Sequence, residues 1–352
     1  MAVPRPTPAP SGAARLTDPA IRPALVLLTG WLLVTAAPLA VAGGKSRDYD
    51  ALLRHAVLLW PVLIALALTG RVAASVLASQ ARRAPWMTGI AVAWLGFLVA
   101  WLPLLAVPAL YTELPRVAGA LAGTGTAFAP MHDGLVIRWE FALFARLVGD
   151  SPALALARAA PWTPLSELLH LAYLAYYGII YLPPALLWWD AGRRGPGVTG
   201  ATDPWRAFTA SAFTVLLSFL LCYSVFVVFP VQGPWYTWHT GGRGGLPLTG
   251  PVREFVQRLL VAGSSRGTAF PSSHVAVSVA QTVVLARVAP RLAWVVGPAT
   301  ALLALGAVYA GYHYGIDALA GAVLGAVAGV GGPRLLAVMA DAAAGNGSLG
   351  TL

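Results

Sequence analysis

Phe270-Pro271-Ser272-Ser273-His274 and Tyr312-His313-Tyr314-Gly315-Ile316-Asp317 each stand at the edge of a long apolar run, and those runs decide the fold. The stretches 271–289 and 316–338 are read as membrane helices, because about 20 apolar residues cross a hydrocarbon layer about 30 Å thick. His274 opens the first run and His313 precedes the second. Asp317 follows His313 by four positions, one helical turn.

Working outward, the same reading applies to most of the chain. Of 352 residues, 58% are hydrophobic and 10% charged, whereas soluble domains carry roughly 25% charged residues. The formal charge is +10, from 23 basic and 13 acidic residues. The arginines lie between apolar runs rather than in a patch, which argues against nucleic acid as a partner. The single cysteine, Cys222, sits inside an apolar run, so neither an internal disulfide nor a cysteine metal site is available.

The expected fold is all-α and polytopic, with about eight spans near 24–42, 52–70, 86–110, 164–189, 207–230, 271–289, 293–312 and 316–338. Residues 1–22, rich in Pro and Ala, read as a disordered cytosolic tail. Residues 23–80 supply two additional N-terminal helices. The catalytic core is expected over 86–340, with long loops at 111–163 and 231–270 and a flexible tail at 341–352. Pro183-Pro184 predicts a kink in the fourth span. Residues 134–148 mix aromatic and charged residues, the pattern of an interfacial helix or a surface helix of a cap.

Arginine bias orients the spans. Arg71, Arg82 and Arg83, then Arg193, Arg194 and Arg206, then Arg287 and Arg291 occupy alternate loops. This predicts a plasma-membrane protein with a cytoplasmic N-terminus. It also brings His274 and His313 to one face of the membrane, the outer one.

Two histidines and an aspartate beside a Pro-Ser-Ser helix start suit phosphate-ester chemistry. An imidazole attacks phosphorus when one nitrogen is free and the proton on the other is held. Asp317, one turn from His313, is expected to hold that proton. Pro271 suits the first position of a helix, so the amides of Ser272, Ser273 and His274 would be unpaired at a positive helix end, a ready phosphate site. His274 is placed to protonate a leaving oxygen.

These residues resemble the type 2 phosphatidic acid phosphatase superfamily. Its middle motif, Pro-Ser-Gly-His, is matched by Pro271 to His274 with Ser273 in place of Gly. Its last motif is Ser-Arg, five residues, His, three residues, Asp, whose end is matched by His313 and Asp317. The Ser-Arg falls instead on Gly306 and Ala307, and the first motif has no match. Together with Phe229-Pro230-Val231-Gln232-Gly233-Pro234-Trp235-Tyr236, the pattern looks more like the branch of fungal inositol phosphorylceramide synthases and their bacterial relatives. The resemblance implies His313 as nucleophile, Asp317 as its partner, His274 as general acid, a six-helix core, and no metal or other cofactor. Its implied substrate is a lipid phosphate or phospholipid, with an alcohol as acceptor if the reaction is a transfer.

The missing arginine needs a substitute, and the outer loop offers Arg243, Arg253, Arg258 and Arg266, with Arg266 and Arg243 the first choices. Trp235 and Tyr236 serve as interfacial anchors or as walls of a headgroup pocket. His170, Tyr173, Tyr176 and Tyr177 recur at helix spacing with Glu167 and are candidates for lining the site. Asp133 is a candidate brace from the long loop. The rival reading is a lipid transporter or flippase, for which the glycine-rich last helix (Gly321, Gly325, Gly329, Gly331, Gly332) would also serve. Those glycines are more simply close helix contacts.

Overall fold

The computed structural model describes residues 19–42, 85–124, 129–194, 203–238 and 250–343. The expected second span, the arginines between spans two and three, His239 and Arg243 lie outside them. In chain order the helices are α1 Arg22–Ala42, α2 Pro85–Leu105, α3 Val107–Leu121, α4 Asp133–Val148, α5 Pro152–Ala159, α6 Thr163–Leu174, α7 Tyr176–Arg194, α8 Pro204–Val228, a single turn α9 Pro234–Thr237, α10 Pro251–Gly263, α11 Ser273–Val288, α12 Pro290–Tyr309 and α13 Gly315–Ala343. The protein is an all-α polytopic membrane protein. Among the described residues five helical segments are long and apolar enough to cross a membrane, and a sixth if the bent pair α6–α7 is one span. α11, with 16 residues, is shorter than a full span and is enclosed by its neighbours.

α8 is the axis. Asp203 caps it by accepting from the amides of Trp205 (2.9 Å) and Arg206 (3.4 Å), and Pro204 occupies its first turn. Its neighbours are α3, α7, α11 and α13, and α1 packs against α3, α8 and α13. Phe208, Phe213, Leu216, Tyr223 and Phe226 are fully buried on it.

α11 and α13 approach so closely that side chains are excluded between them. A Cβ on Gly321 would meet the carbonyl oxygen of Ser272, and one on Gly325 the carbonyl of Ala276. This is the packing of small residues four apart that lets membrane helices come together. Gly331, in contrast, faces open space. Gly325→Ala is therefore expected to destabilise the protein by about 1–3 kcal/mol, read as a lower unfolding temperature in detergent. Gly331→Ala should leave it unchanged or slightly higher.

Two expectations about the spans need correction. The third runs from Ala93 to Leu121, so residues 111–121 belong to it and not to the following loop; the chain turns at Ala106 and resumes as helix with Pro108 in the first turn of α3. The fourth bends by 44° between α6 and α7, about two turns before Pro183-Pro184, which sit buried within a continuous α7. The bend falls where Tyr173 and Tyr176 both pack on His274.

The long-loop helix is present as α4, with its two acids turned inward. Trp139, Phe141, Leu143 and Leu147 are exposed, while Asp133 and Glu140 are buried. Those two carboxylates face the turn that carries His313.

Candidate active site

Three local structures meet at one end of the bundle: the start of α11, the turn between α12 and α13, and the strand-like segment 229–234 after α8. The amide of Ser272 donates to the carbonyl of Asp317 at 2.9 Å, tying the starts of α11 and α13 together. His274 and His313 lie with ring centroids 5.7 Å apart. The two motifs are therefore one site.

His313 precedes α13 rather than lying on it, so the expected one-turn pairing with Asp317 is not made within a helix. The imidazole Nδ1 lies 3.0 Å from the carbonyl oxygen of Ala269 and 3.5 Å from Asp317 Oδ2. A carbonyl only accepts, so Nδ1 carries the proton and Nε2 keeps its lone pair. Asp317 is fully buried. Its Oδ2 accepts from the amide of Tyr314 at 2.9 Å, and Oδ1 has no partner. Asp317 thus holds the turn and adds negative charge behind the imidazole, while the Ala269 carbonyl fixes the tautomer.

The Ala269 carbonyl is itself held by a relay of backbone contacts. Val231 and Thr268 form an isolated parallel bridge, with the Ala269 amide donating to Val231 O at 2.9 Å. The next two amides, of Gln232 and Gly233, both donate to Asp133, each at 2.9 Å. Gly233 has φ +88°, and a Cβ there would press on Ala269, so the position requires glycine. Tyr314 completes the brace, its hydroxyl 2.8 Å from Thr237 Oγ1 and 3.5 Å from Asp133 Oδ1. Burial raises the Tyr314 hydroxyl well above the usual phenol range, so it remains a donor.

Glu140 holds the other side of the turn. One carboxylate oxygen accepts from the Gly315 amide (3.0 Å) and the Ser151 hydroxyl (2.6 Å), and the other from the Ile316 amide (2.9 Å). It is the N-terminal cap of α13, supplied from another helix. The sequence reading puts Glu140 on an interfacial helix or a surface helix of a cap, and neither reading contains this role. The only signal was an acid among Trp139, Phe141 and Phe144, which does not say which way the helix faces.

On the opposite side, the Tyr173 hydroxyl lies 3.1 Å from His274 Nε2, with the rings stacked at 4.8 Å. His274 Nδ1 is buried and has no partner among the described residues. Tyr312 also packs on Tyr173, at 4.8 Å, and has a buried, unpartnered hydroxyl. Trp235 and His170 flank Tyr312 at 5.7 Å each.

The remaining candidates divide. Ser273 is buried beside His274. Ser272 is the N-cap of α11, its hydroxyl accepting from the Val275 amide at 3.4 Å. The helix therefore starts at Ser273, not at Pro271, and the Ser272 amide is spent on Asp317; only the amides of Ser273 and His274 remain in its open first turn. Tyr236 bonds to Ser264 at 2.6 Å and lies under the Arg266 guanidinium at 5.2 Å. Arg266 lines a separate crevice with Met131 and Pro230, away from the cavity that holds His274. Arg253 lines another small cavity, with His170, Trp238 and Gly311. Burial raises the Tyr312 hydroxyl, and the charge of Arg253 opposes that rise. Glu167 fixes the start of α10, accepting from the amides of Val252 (2.9 Å) and Arg253 (3.0 Å).

The structure also gives a reason for the missing Ser-Arg. A Cβ on Gly306 would strike the carbonyl of Leu169 in α6, and Ala307 is fully buried. α6 fills the space a side chain at Gly306 would need, and Ala307 is enclosed with Tyr173, Val256 and Tyr312.

Comparison with curated proteins and with solved structures finds no match. The family model described as the PAP2 superfamily matches residues 140–330. That range runs from Glu140 through both histidines and Asp317 and covers more than half of the chain, which therefore belongs to the PAP2 superfamily.

Proposed function

We propose that this chain is a lipid phosphatase or phosphotransferase working through a phosphohistidine on His313. The observation that carries the reading is the Ala269 carbonyl at His313 Nδ1, which leaves Nε2 as the free lone pair. In the first step Nε2 bonds to phosphorus and the bond from phosphorus to the alcohol oxygen breaks. His274 Nδ1 gives that oxygen its proton, while Nε2–H stays on the Tyr173 oxygen. In the second step water or a second alcohol gives its proton to His274 Nδ1 and attacks phosphorus, and the bond to His313 breaks. The amides of Ser273 and His274 and the charge of Arg253 stabilise the equatorial oxygens. The arginine bias supports a site at the outer face of the plasma membrane. Substrates are a lipid phosphate or phosphodiester; a transferase of the inositol phosphorylceramide type differs only in its second step.

The test is phosphate release by the purified full chain in detergent with EDTA present, across a panel of lipid phosphates. Release is the expected result for a hydrolase. If none appears, phospholipid donors are supplied with ceramide or diacylglycerol, and headgroup transfer is expected. Failure of both assays would overturn the proposal.

A further inference from the structure

The Ala269 carbonyl that fixes the His313 tautomer lies in the segment joining α10 to α11. Backbone holds one edge of that segment. The Val231 amide donates to the Gly267 carbonyl at 3.3 Å, and the Ala269 amide donates to the Val231 carbonyl at 2.9 Å. A side chain from α3 holds the other edge. The Tyr111 hydroxyl lies 2.8 Å from Thr268 Oγ1 and accepts from the Ser265 amide at 3.2 Å. Thr268 Oγ1 lies 2.6 Å from the Ser265 carbonyl oxygen. The protons follow by elimination. A carbonyl only accepts, so the Thr268 hydroxyl donates to Ser265, and the Tyr111 hydroxyl must then donate to Thr268. The Ser265 amide closes the ring on the Tyr111 oxygen. Thr268 is buried and adjoins Ala269, so fixing its side chain fixes the residue next to the carbonyl that holds Nδ1. No motif points to Tyr111, which sits in a span ahead of the residues 140–330 that the family model matches.

We infer that Tyr111 is a positioning residue for His313: through Thr268 and Ser265 its hydroxyl sets the Ala269 carbonyl that holds the Nδ1 proton. The inference deepens the phosphohistidine reading above and rests on it. Tyr111→Phe keeps the aromatic ring, which packs on Tyr223, and opens only the circuit of hydrogen bonds. The Ser265 amide loses its acceptor and Thr268 Oγ1 loses its donor. The bridge to Val231 remains, so the segment stays folded while the Ala269 carbonyl is less well aimed. The His313 proton is then less firmly kept on Nδ1, and the tautomer with the proton on Nε2, which has no lone pair there for phosphorus, gains population.

The test uses the purified full chain in detergent, with the lipid phosphate or phospholipid donor that the assays above select. Two quantities are read: the rate of phosphohistidine formation in a single turnover, and the His313 tautomer by nitrogen NMR of histidine-labelled protein, its signal identified by its loss in His313→Ala. Tyr111→Phe and Thr268→Val break the ring at two corners from two different elements. Each should slow phosphohistidine formation about tenfold per folded molecule, with KM little changed, and each should raise the share of the Nε2–H tautomer. Combined, they should be no slower than the slower single variant, because they open one ring. Thr268→Ser keeps the hydroxyl and should form the adduct at close to the normal rate. Tyr223→Phe is the control, since it deletes another buried hydroxyl, bonded to the Val107 carbonyl of α3 at 3.3 Å, and should leave both readouts unchanged. Normal rates in both Tyr111→Phe and Thr268→Val would overturn the inference. So would equal slowing in Tyr223→Phe without a change of tautomer, the mark of a general loss of packing. No turnover or transfer by the unaltered protein on any substrate would instead overturn the reading on which it rests.

Discussion

Replacing His313 with alanine should lower turnover by about four to six orders of magnitude, the loss seen when a covalent nucleophile is removed. The size of the effect follows from the geometry. His313 Nε2 is made available by a proton fixed on Nδ1, and that proton is held by the Ala269 carbonyl with Asp317 behind it. Alanine removes the attacking atom while the supports remain. Ala269 still bonds to Val231, and Asp317 still accepts from Tyr314, so the fold should persist. What remains is direct attack by water assisted by His274 and the anion-binding amides, a slower route. The measurement is single-turnover phosphate release together with trapping of an acid-labile, base-stable phosphoprotein from radiolabelled substrate. The unaltered protein should give the adduct and His313→Ala should not, at an unchanged unfolding temperature. His313→Ala activity above about 1% of normal would reassign the nucleophile.

The sequence carried the bundle and the identity of the three central residues, for physical reasons that can be named. Apolar runs such as 207–230 specify spans because lipid demands them. The histidines were recognisable because ionisable groups at the edges of such runs are costly unless used. The shell that holds them was not legible. Asp133 and Glu140 lie far from His313 in sequence and reach it only because α4 turns its carboxylates inward while Trp139 and Phe141 face outward. Ala269 contributes a carbonyl, a group every residue has, so no side chain announces it. The surroundings of the arginines were hidden for the same kind of reason. Arg266 is nearest to Pro271 along the chain, yet it stacks on Tyr236, whereas Arg253 is brought toward Tyr312 by the bond between Glu167 and the first turn of α10.

The bend between α6 and α7 and the glycine contact at Gly306 are two parts of one arrangement. α6 lies against α12 where Gly306 has no side chain, and the chain then turns so that Tyr173 and Tyr176 reach His274 from one side. His274 is therefore positioned by α6 and α7, while His313 is positioned by α4 and segment 229–234. Each half has its own supports, and the two meet at the bond from the Ser272 amide to the Asp317 carbonyl and at the contact of Tyr312 with Tyr173.

Glu140→Ala tests that division on the nucleophile side, and it should be the most damaging change outside the reacting groups. The variant strands the amides of Gly315 and Ile316 and the hydroxyl of Ser151 in a place water does not reach, since Glu140 is 0% exposed. Each buried donor left without an acceptor costs about 1–3 kcal/mol, so a loss of about 3–5 kcal/mol is expected, read as a fall in unfolding temperature. Below that temperature kcat should also fall about 100-fold, because the turn carrying His313 loses the cap that fixes it and sub-ångström placement governs attack. KM should change little, since Glu140 bonds to the turn and to Ser151 rather than to the start of α11. Glu140→Gln keeps the length and one carbonyl oxygen, so it should recover part of both stability and kcat; Glu140→Asp, one methylene shorter, should not. A purely structural role would lower the amount of folded protein without lowering kcat per folded molecule. If folded Glu140→Ala turns over at the normal rate, the turn is held by Asp133, Tyr314 and Asp317 alone, and Glu140 is not a positioning residue.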